Sequence, residues 1–111
     1  MSDSIFEDLF VLELANNHWG SLDRGLKIVS DFARVVRFND VHAAIKLQFR
    51  DVDSFVHRDY RARPDIRYIK KTIDTQLSWG DLRQLVEAVR NAGMVTMVTP
   101  FDEVSVDRCV E

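Results

Sequence analysis

One cysteine, Cys109, is all that the 111 residues contain. A disulfide within the chain is therefore excluded, and a reducing compartment suits the composition. Glycines and prolines are few, four and two, and no internal repeat or low-complexity segment stands out. No apolar run approaches the ~20 residues of a membrane span. The opening MSDSIFEDLF lacks the positively charged start and continuous apolar core of a secretory leader, so none is expected. A net charge of −3 supplies no basic field that would draw nucleic acid. What is present is an ordinary globular balance, 46% hydrophobic and 30% charged, of a size suited to one domain. A cytoplasmic protein with no membrane and no nucleic-acid partner is the expectation.

Short apolar runs alternate with amphipathic stretches. LFVLELA, residues 9–15, reads as a strand, and AAIKLQF, 43–49, as a second. MVTMVT, 94–99, is the third and is followed by Pro100. Between the first two, residues 21–38 place Leu22, Leu26, Val29, Ala33 and Val36 on one helical face, with Ser21 as N-cap. Residues 78–92 pair Ser78 with Asp81 at capping-box spacing, put Leu82, Leu85, Val86 and Val89 on one face, and stop at Gly93. Asp102 is placed to cap a further helix over 102–111.

This order predicts successive βαβ units and a parallel sheet, a pattern that an open doubly wound sheet and a closed barrel both satisfy. Three strands fall well short of a (β/α)8 barrel of about 250 residues, so a fragment is expected. The connection over residues 50–77 is long for an α/β unit. It carries Arg50, Arg58, Arg61, Arg63, Arg67, Lys70 and Lys71 against five aspartates, with a short helix expected in IRYIKKTI. A solvated loop of mixed charge fits this composition, and so does a lid that draws anions towards the strand ends.

Side-chain alternation sorts the strands into two faces. Phe10, Leu12 and Leu14 share one side with Ile45, Leu47 and Phe49 and call for helices over them. Val11, Glu13 and Ala15 lie opposite, as do Ala44, Lys46 and Gln48, while Val95, Met97 and Thr99 share a side of strand three. Glu13, Lys46, Gln48 and Thr99 thus gather towards the carboxyl ends of the strands, where α/β folds bind ligands. A polar, anionic substrate suits that set. A Glu13–Lys46 ion pair that merely fills the interior is the plainer alternative, and a weak stabiliser. His18 alone reads as a hydrogen-bonded turn residue, since one histidine defines no metal site. Trp19 and Trp79 read as packing.

Three stretches in register resemble one family. ELANNHWGSL, 13–22, is similar to the Glu-Ile-Gly-x-Asn-His-x-Gly-x-Leu turn that opens the barrel of the sialic acid (N-acetylneuraminate) synthases. AIKLQF, 44–49, is similar to their Lys-x-Gln strand, and GMVTMVTPFD, 93–102, to their third strand ending in Thr-Pro-Phe. The resemblance runs over about residues 8–105. It implies that residues 1–111 are one partial α/β domain, the N-terminal three βα units of a TIM-type (β/α)8 barrel, truncated here. Departures are Ala15 for a usual Gly, Leu47 for Phe or His, and Val98 for a small residue; they leave the outline of the site but allow a different sugar.

The resemblance further implies a metal-dependent transferase of carbohydrate biosynthesis that condenses phosphoenolpyruvate with an N-acylated amino sugar such as N-acetylmannosamine, giving a nonulosonic acid and phosphate. Glu13 would sit by the sugar's reacting end, and Lys46 and Thr99 would contact phosphoenolpyruvate. Gln48 would hydrogen-bond the sugar, Asn17 and His18 would shape the floor, and Phe101 would line the site. The divalent metal, Mn²⁺ or Mg²⁺, has its histidine ligands in parts of the family barrel beyond this chain. So do further phosphate contacts and a C-terminal antifreeze-protein-like domain that covers the partner's site in homodimers. The chain alone is accordingly expected to be inactive. A barrel piece that acts only by assembling with other chains, and a small α/β binding domain, are the alternatives.

Overall fold

A computed structural model describes residues 6–52 and 65–110. Arg58, Arg61 and Arg63 of the basic connection lie outside the described residues. The elements run β1 (Leu9–Ala15), α1 (Leu22–Asn39), β2 (His42–Phe49), α2 (Arg67–Asp74), α3 (Trp79–Asn91), β3 (Val95–Pro100) and α4 (Glu103–Val110). The strands form a parallel sheet in the order β1-β2-β3.

Local chemistry sets the helix ends. The Ser21 hydroxyl accepts from the Arg24 N–H and the Ser78 hydroxyl from the Asp81 N–H, each satisfying a donor that a helix start leaves without an intrahelical partner. Gly93, at φ +79, takes the chain out of α3 in the left-handed region. α1 ends instead on Asp40 at φ 50, whose N–H donates to the carbonyls of Arg37 and Val36.

The core lies between one face of the sheet and two helices. Leu14, Ile45, Leu47 and Phe49 of the strands pack with Val29 and Ala33 of α1 and with Leu82, Leu85 and Val89 of α3. α1 and α3 approach closely at Gly25, where an added Cβ would lie 2.9 Å from a Leu85 methyl. Larger residues there would push the helices apart. No described helix is long and apolar enough to cross a membrane.

Pairing gives Glu13↔Lys46, Lys46↔Met97 and Gln48↔Thr99. Parallel partners share a face, so the predicted alternation holds for β2, for β3 and for β1 as far as Glu13. It fails at Ala15. A register shift between Glu13 and Ala15 sets Ala15 beside Leu47, with Ala15 at φ 51. The bulge uses one extra residue, so the end of β1 no longer follows the period of two.

Candidate active site at the strand ends

Helices cover one side of the sheet, and the other carries the polar rim. Glu13 and Lys46 project from paired positions, with Lys46 Nζ 3.5 Å from Glu13 Oε2. Their side chains are 45% and 35% exposed, so water screens the pair and its stabilising effect is small. One pair further along lie Gln48 and Thr99, both half-buried. The four polar groups named from the sequence therefore share one face of three adjacent co-directional strands.

Arg50 joins them. Its Nη2 donates to Gln48 Oε1 at 3.3 Å, and its guanidinium lies 4.4 Å from the centre of the Phe101 ring. Gln48 thus has its oxygen engaged and its NH₂ turned to donate. Phe101 is tied to the rim by backbone too, its N–H donating to the Phe49 carbonyl at 3.0 Å. Arg50 belonged to the basic connection in sequence. Its place two residues beyond Gln48 along the same strand direction was the signal that could have assigned it to the rim.

The Asn16-Asn17-His18 cluster holds the β1–α1 turn. Asn17 sends both its backbone N–H and its side-chain Nδ2 to the Leu14 carbonyl at 3.0 Å, and its own carbonyl accepts from Arg24 Nε at 2.8 Å. Asn17 is exposed, whereas His18 is 4% exposed. His18 Nδ1 accepts from the Gly20 N–H at 3.0 Å, which fixes the neutral tautomer protonated on Nε2. Burial lowers its pKa from the usual 6.5. Gly20 is required on two counts, since φ is +75 and an added Cβ would meet the Asp74 carbonyl oxygen at 2.8 Å. The turn is thereby locked against the end of α2.

Asn16, His18, Gln48, Arg50, Thr72 and Thr75, with apolar Val52, Leu77 and Leu82, surround a small cavity of about 30 Å³. That holds a water or two and no substrate, so the open rim above it is the binding candidate. Asn16, rather than the exposed Asn17, shares this cavity with His18. Trp19 is not a packing residue: it is 58% exposed, with Lys71 Nζ 5.9 Å from its ring centre, and its backbone has a positive φ of 55. Trp79 does pack, edge-on to Phe49 at 5.7 Å.

Among the described residues no three His, Cys, Asp or Glu side chains gather to hold a metal ion. Glu13 faces an ammonium, and the Nδ1 of His18 is engaged. The donors among the described residues do not compose a metal site.

Solved structures share this fold, among them the following two. Protein E of spore coat polysaccharide biosynthesis from Chromobacterium violaceum matches with a TM-score of 0.87 at 33% identity, over 93% of this chain and 31% of its own. The N-acetylneuraminic acid (sialic acid) synthetase of Leptospira borgpetersenii serovar Hardjo-bovis matches with a TM-score of 0.65 at 18% identity, over 91% of this chain and 31% of its own. This is similarity to the N-acetylneuraminate synthase family. It covers nearly the whole chain, and at 18% identity the second likeness speaks for the fold alone. The chain spans about a third of each of these proteins. No family model and no curated protein matches it.

Proposed function

We propose that the chain forms the first three βα units of a (β/α)8 synthase barrel that condenses phosphoenolpyruvate with an N-acylated amino sugar. The observation that carries this reading is the single polar row Glu13, Lys46, Gln48 and Thr99 on the sheet face opposite α1 and α3, at the strand ends. In the reaction a carbon–carbon bond forms between the enol carbon and the sugar aldehyde. Water supplies an oxygen and phosphate leaves, giving a nonulosonic acid.

Each residue has a defined task. The Lys46 ammonium offsets the charge of phosphoenolpyruvate, and the Thr99 hydroxyl donates to the same anion. The Gln48 NH₂, free to donate because Arg50 holds its oxygen, orients the sugar. Glu13 accepts from a sugar hydroxyl at the reacting end and keeps Lys46 from swinging into solvent. The hydrophobic wall at Phe101 limits water at the rim. Fixed groups of this kind act by holding two reactants in line rather than by covalent chemistry. The Mn²⁺ or Mg²⁺ of the reaction is held outside the described residues, and assembly as a cytoplasmic homodimer belongs to the same proposal.

A second reading, a barrel piece that works by assembly, is favoured by one observation. Phe10 and Val11, 57% and 46% exposed, leave apolar surface on the edge strand β1. The deciding experiment is titration of phosphoenolpyruvate into the 111-residue chain followed by amide NMR. Shifts clustered at Lys46, Gln48 and Thr99, abolished by Lys46→Ala, support the synthase rim. Saturating phosphoenolpyruvate without such shifts refutes it. A steady-state assay with N-acetylmannosamine should show no turnover by this chain alone.

A further inference from the structure

A glutamine at a binding rim can show a substrate either a donor or an acceptor, because the two ends of its amide have nearly the same shape. At Gln48 a neighbour removes the choice. Arg50 follows two residues beyond Gln48, and its Nη2 donates to Gln48 Oε1 at 3.3 Å. A guanidinium carries donors and no acceptor, so a reversed amide would set N–H against N–H. The carbonyl therefore points to Arg50, and the NH₂ points away from it.

Arg50 is itself held in place. It is half-buried, and its guanidinium lies 4.4 Å from the centre of the Phe101 ring, a cation–π contact that fixes the plane of the fork. Phe101 is tied back to β2, its N–H donating to the Phe49 carbonyl at 3.0 Å. Thr99, two residues before Phe101, is the register partner of Gln48. The ring anchors the arginine, and the arginine orients the amide.

We propose that Arg50 is a positioning residue that sets what Gln48 reads on the sugar: the carbonyl oxygen of an N-acyl group, and not a free amine. The proposal rests on the synthase reading and adds the means by which the rim tells an acylated amino sugar from an unacylated one. An acyl carbonyl accepts from the fixed NH₂. A free amino group in the same place is an ammonium, which sets donors against a donor and leaves the Gln48 NH₂ without an acceptor. Specificity of this kind lies in the mismatch built against the wrong ligand.

The test follows the Gln48 side-chain NH₂ of the ¹⁵N-labelled 111-residue chain by NMR. Without ligand, its heteronuclear NOE should report a rigid group in the parent chain and a mobile one in Arg50→Met. With phosphoenolpyruvate saturating, N-acetylmannosamine should shift the NH₂ and bind at least about tenfold more tightly than mannosamine. That ratio should persist at high salt and collapse in Arg50→Met. Arg50→Lys, which keeps a donor for Oε1 and a cation over Phe101, should retain most of it, and circular dichroism checks that both variants fold. An equally rigid NH₂ in Arg50→Met overturns the proposal. So does an unchanged ratio in that variant, or N-acetylmannosamine leaving Gln48 untouched while phosphoenolpyruvate binds. A ratio that vanishes at high salt assigns the discrimination to charge, and overturns it too. Phosphoenolpyruvate causing no shift at Lys46 defeats the synthase reading itself, and the ligand-free NOE then still judges the hold of Arg50 on Gln48.

Discussion

Glu13 and Lys46 occupy paired positions on neighbouring parallel strands, with carboxylate oxygen and ammonium nitrogen 3.5 Å apart on the face opposite α1 and α3. Both side chains keep more than a third of their surface in water, so the pair contributes little to folding, on the order of 0–1 kcal/mol. Glu13→Gln and Lys46→Met should each leave the urea midpoint nearly unchanged. Phosphoenolpyruvate binding should fall at least about tenfold in Lys46→Met, the loss expected of a charged hydrogen bond to an anion. A large drop in stability with binding intact would make the pair structural and leave the rim without its cation.

Asp102 joins the ends of two strands to a helix. One carboxylate oxygen accepts from the Ser105 N–H at 2.7 Å and caps α4, while the other accepts from the Asp51 N–H just past β2, also at 2.7 Å. Asp102→Ala removes both acceptors and should cost about 2–3 kcal/mol in chemical denaturation, a cap plus a charge-assisted hydrogen bond. Asp102→Asn keeps one acceptor oxygen and should cost about half as much. Equal losses for the two substitutions would show that the carboxylate charge, and not the number of acceptor oxygens, carries the effect.

Gly20 and Gly93 are matched in backbone conformation and differ in surroundings. Both have φ near the left-handed region, +75 and +79, yet an added Cβ meets the Asp74 oxygen at 2.8 Å in one case and nothing within 4 Å in the other. Gly93→Ala should cost about 1 kcal/mol, from conformation alone. Gly20→Ala should cost clearly more, about 2–4 kcal/mol, because the turn must part from the end of α2. Thermal melts of the two variants side by side separate conformation from contact. Similar melting temperatures would mean that the contact between the turn and α2 relaxes at no cost.

The features readable from sequence were those with a period or a local partner. Alternation in β2 and β3 fixes which side Lys46, Gln48 and Thr99 take, and Ser21, Ser78 and Asp102 cap helices that begin beside them. The unread features depend on residues distant in the chain. The bulge at Ala15 is set by how β1 registers on β2, and the need for glycine at position 20 comes from a carbonyl at position 74. Trp19 looked like packing because indoles generally are buried, but it sits 58% exposed in the turn. Arg50 was read with its loop neighbours by charge, whereas its bond to Gln48 and its stacking on Phe101 place it at the rim.

His18 makes stability depend on pH in one direction. Its buried ring accepts from the Gly20 N–H at Nδ1, and desolvation lowers its pKa in the folded chain below the ordinary 6.5. The unfolded chain therefore takes up the proton first as pH falls. Stability from the neutral ring is fully present above about pH 6.5 and is lost progressively as pH drops below it towards the folded-state pKa. Protonation of the fold also turns the Nδ1 acceptor into a donor facing an N–H, releasing the β1–α1 turn. The urea midpoint should thus decline between pH 7 and pH 5, ahead of the range where ordinary carboxylates titrate, near 4. His18→Asn places an uncharged acceptor at about the reach of Nδ1 and cannot titrate. That variant should start less stable, having lost ring packing, and should show a flatter profile over the same interval. A slope identical to that of the parent chain would assign the pH dependence to other groups.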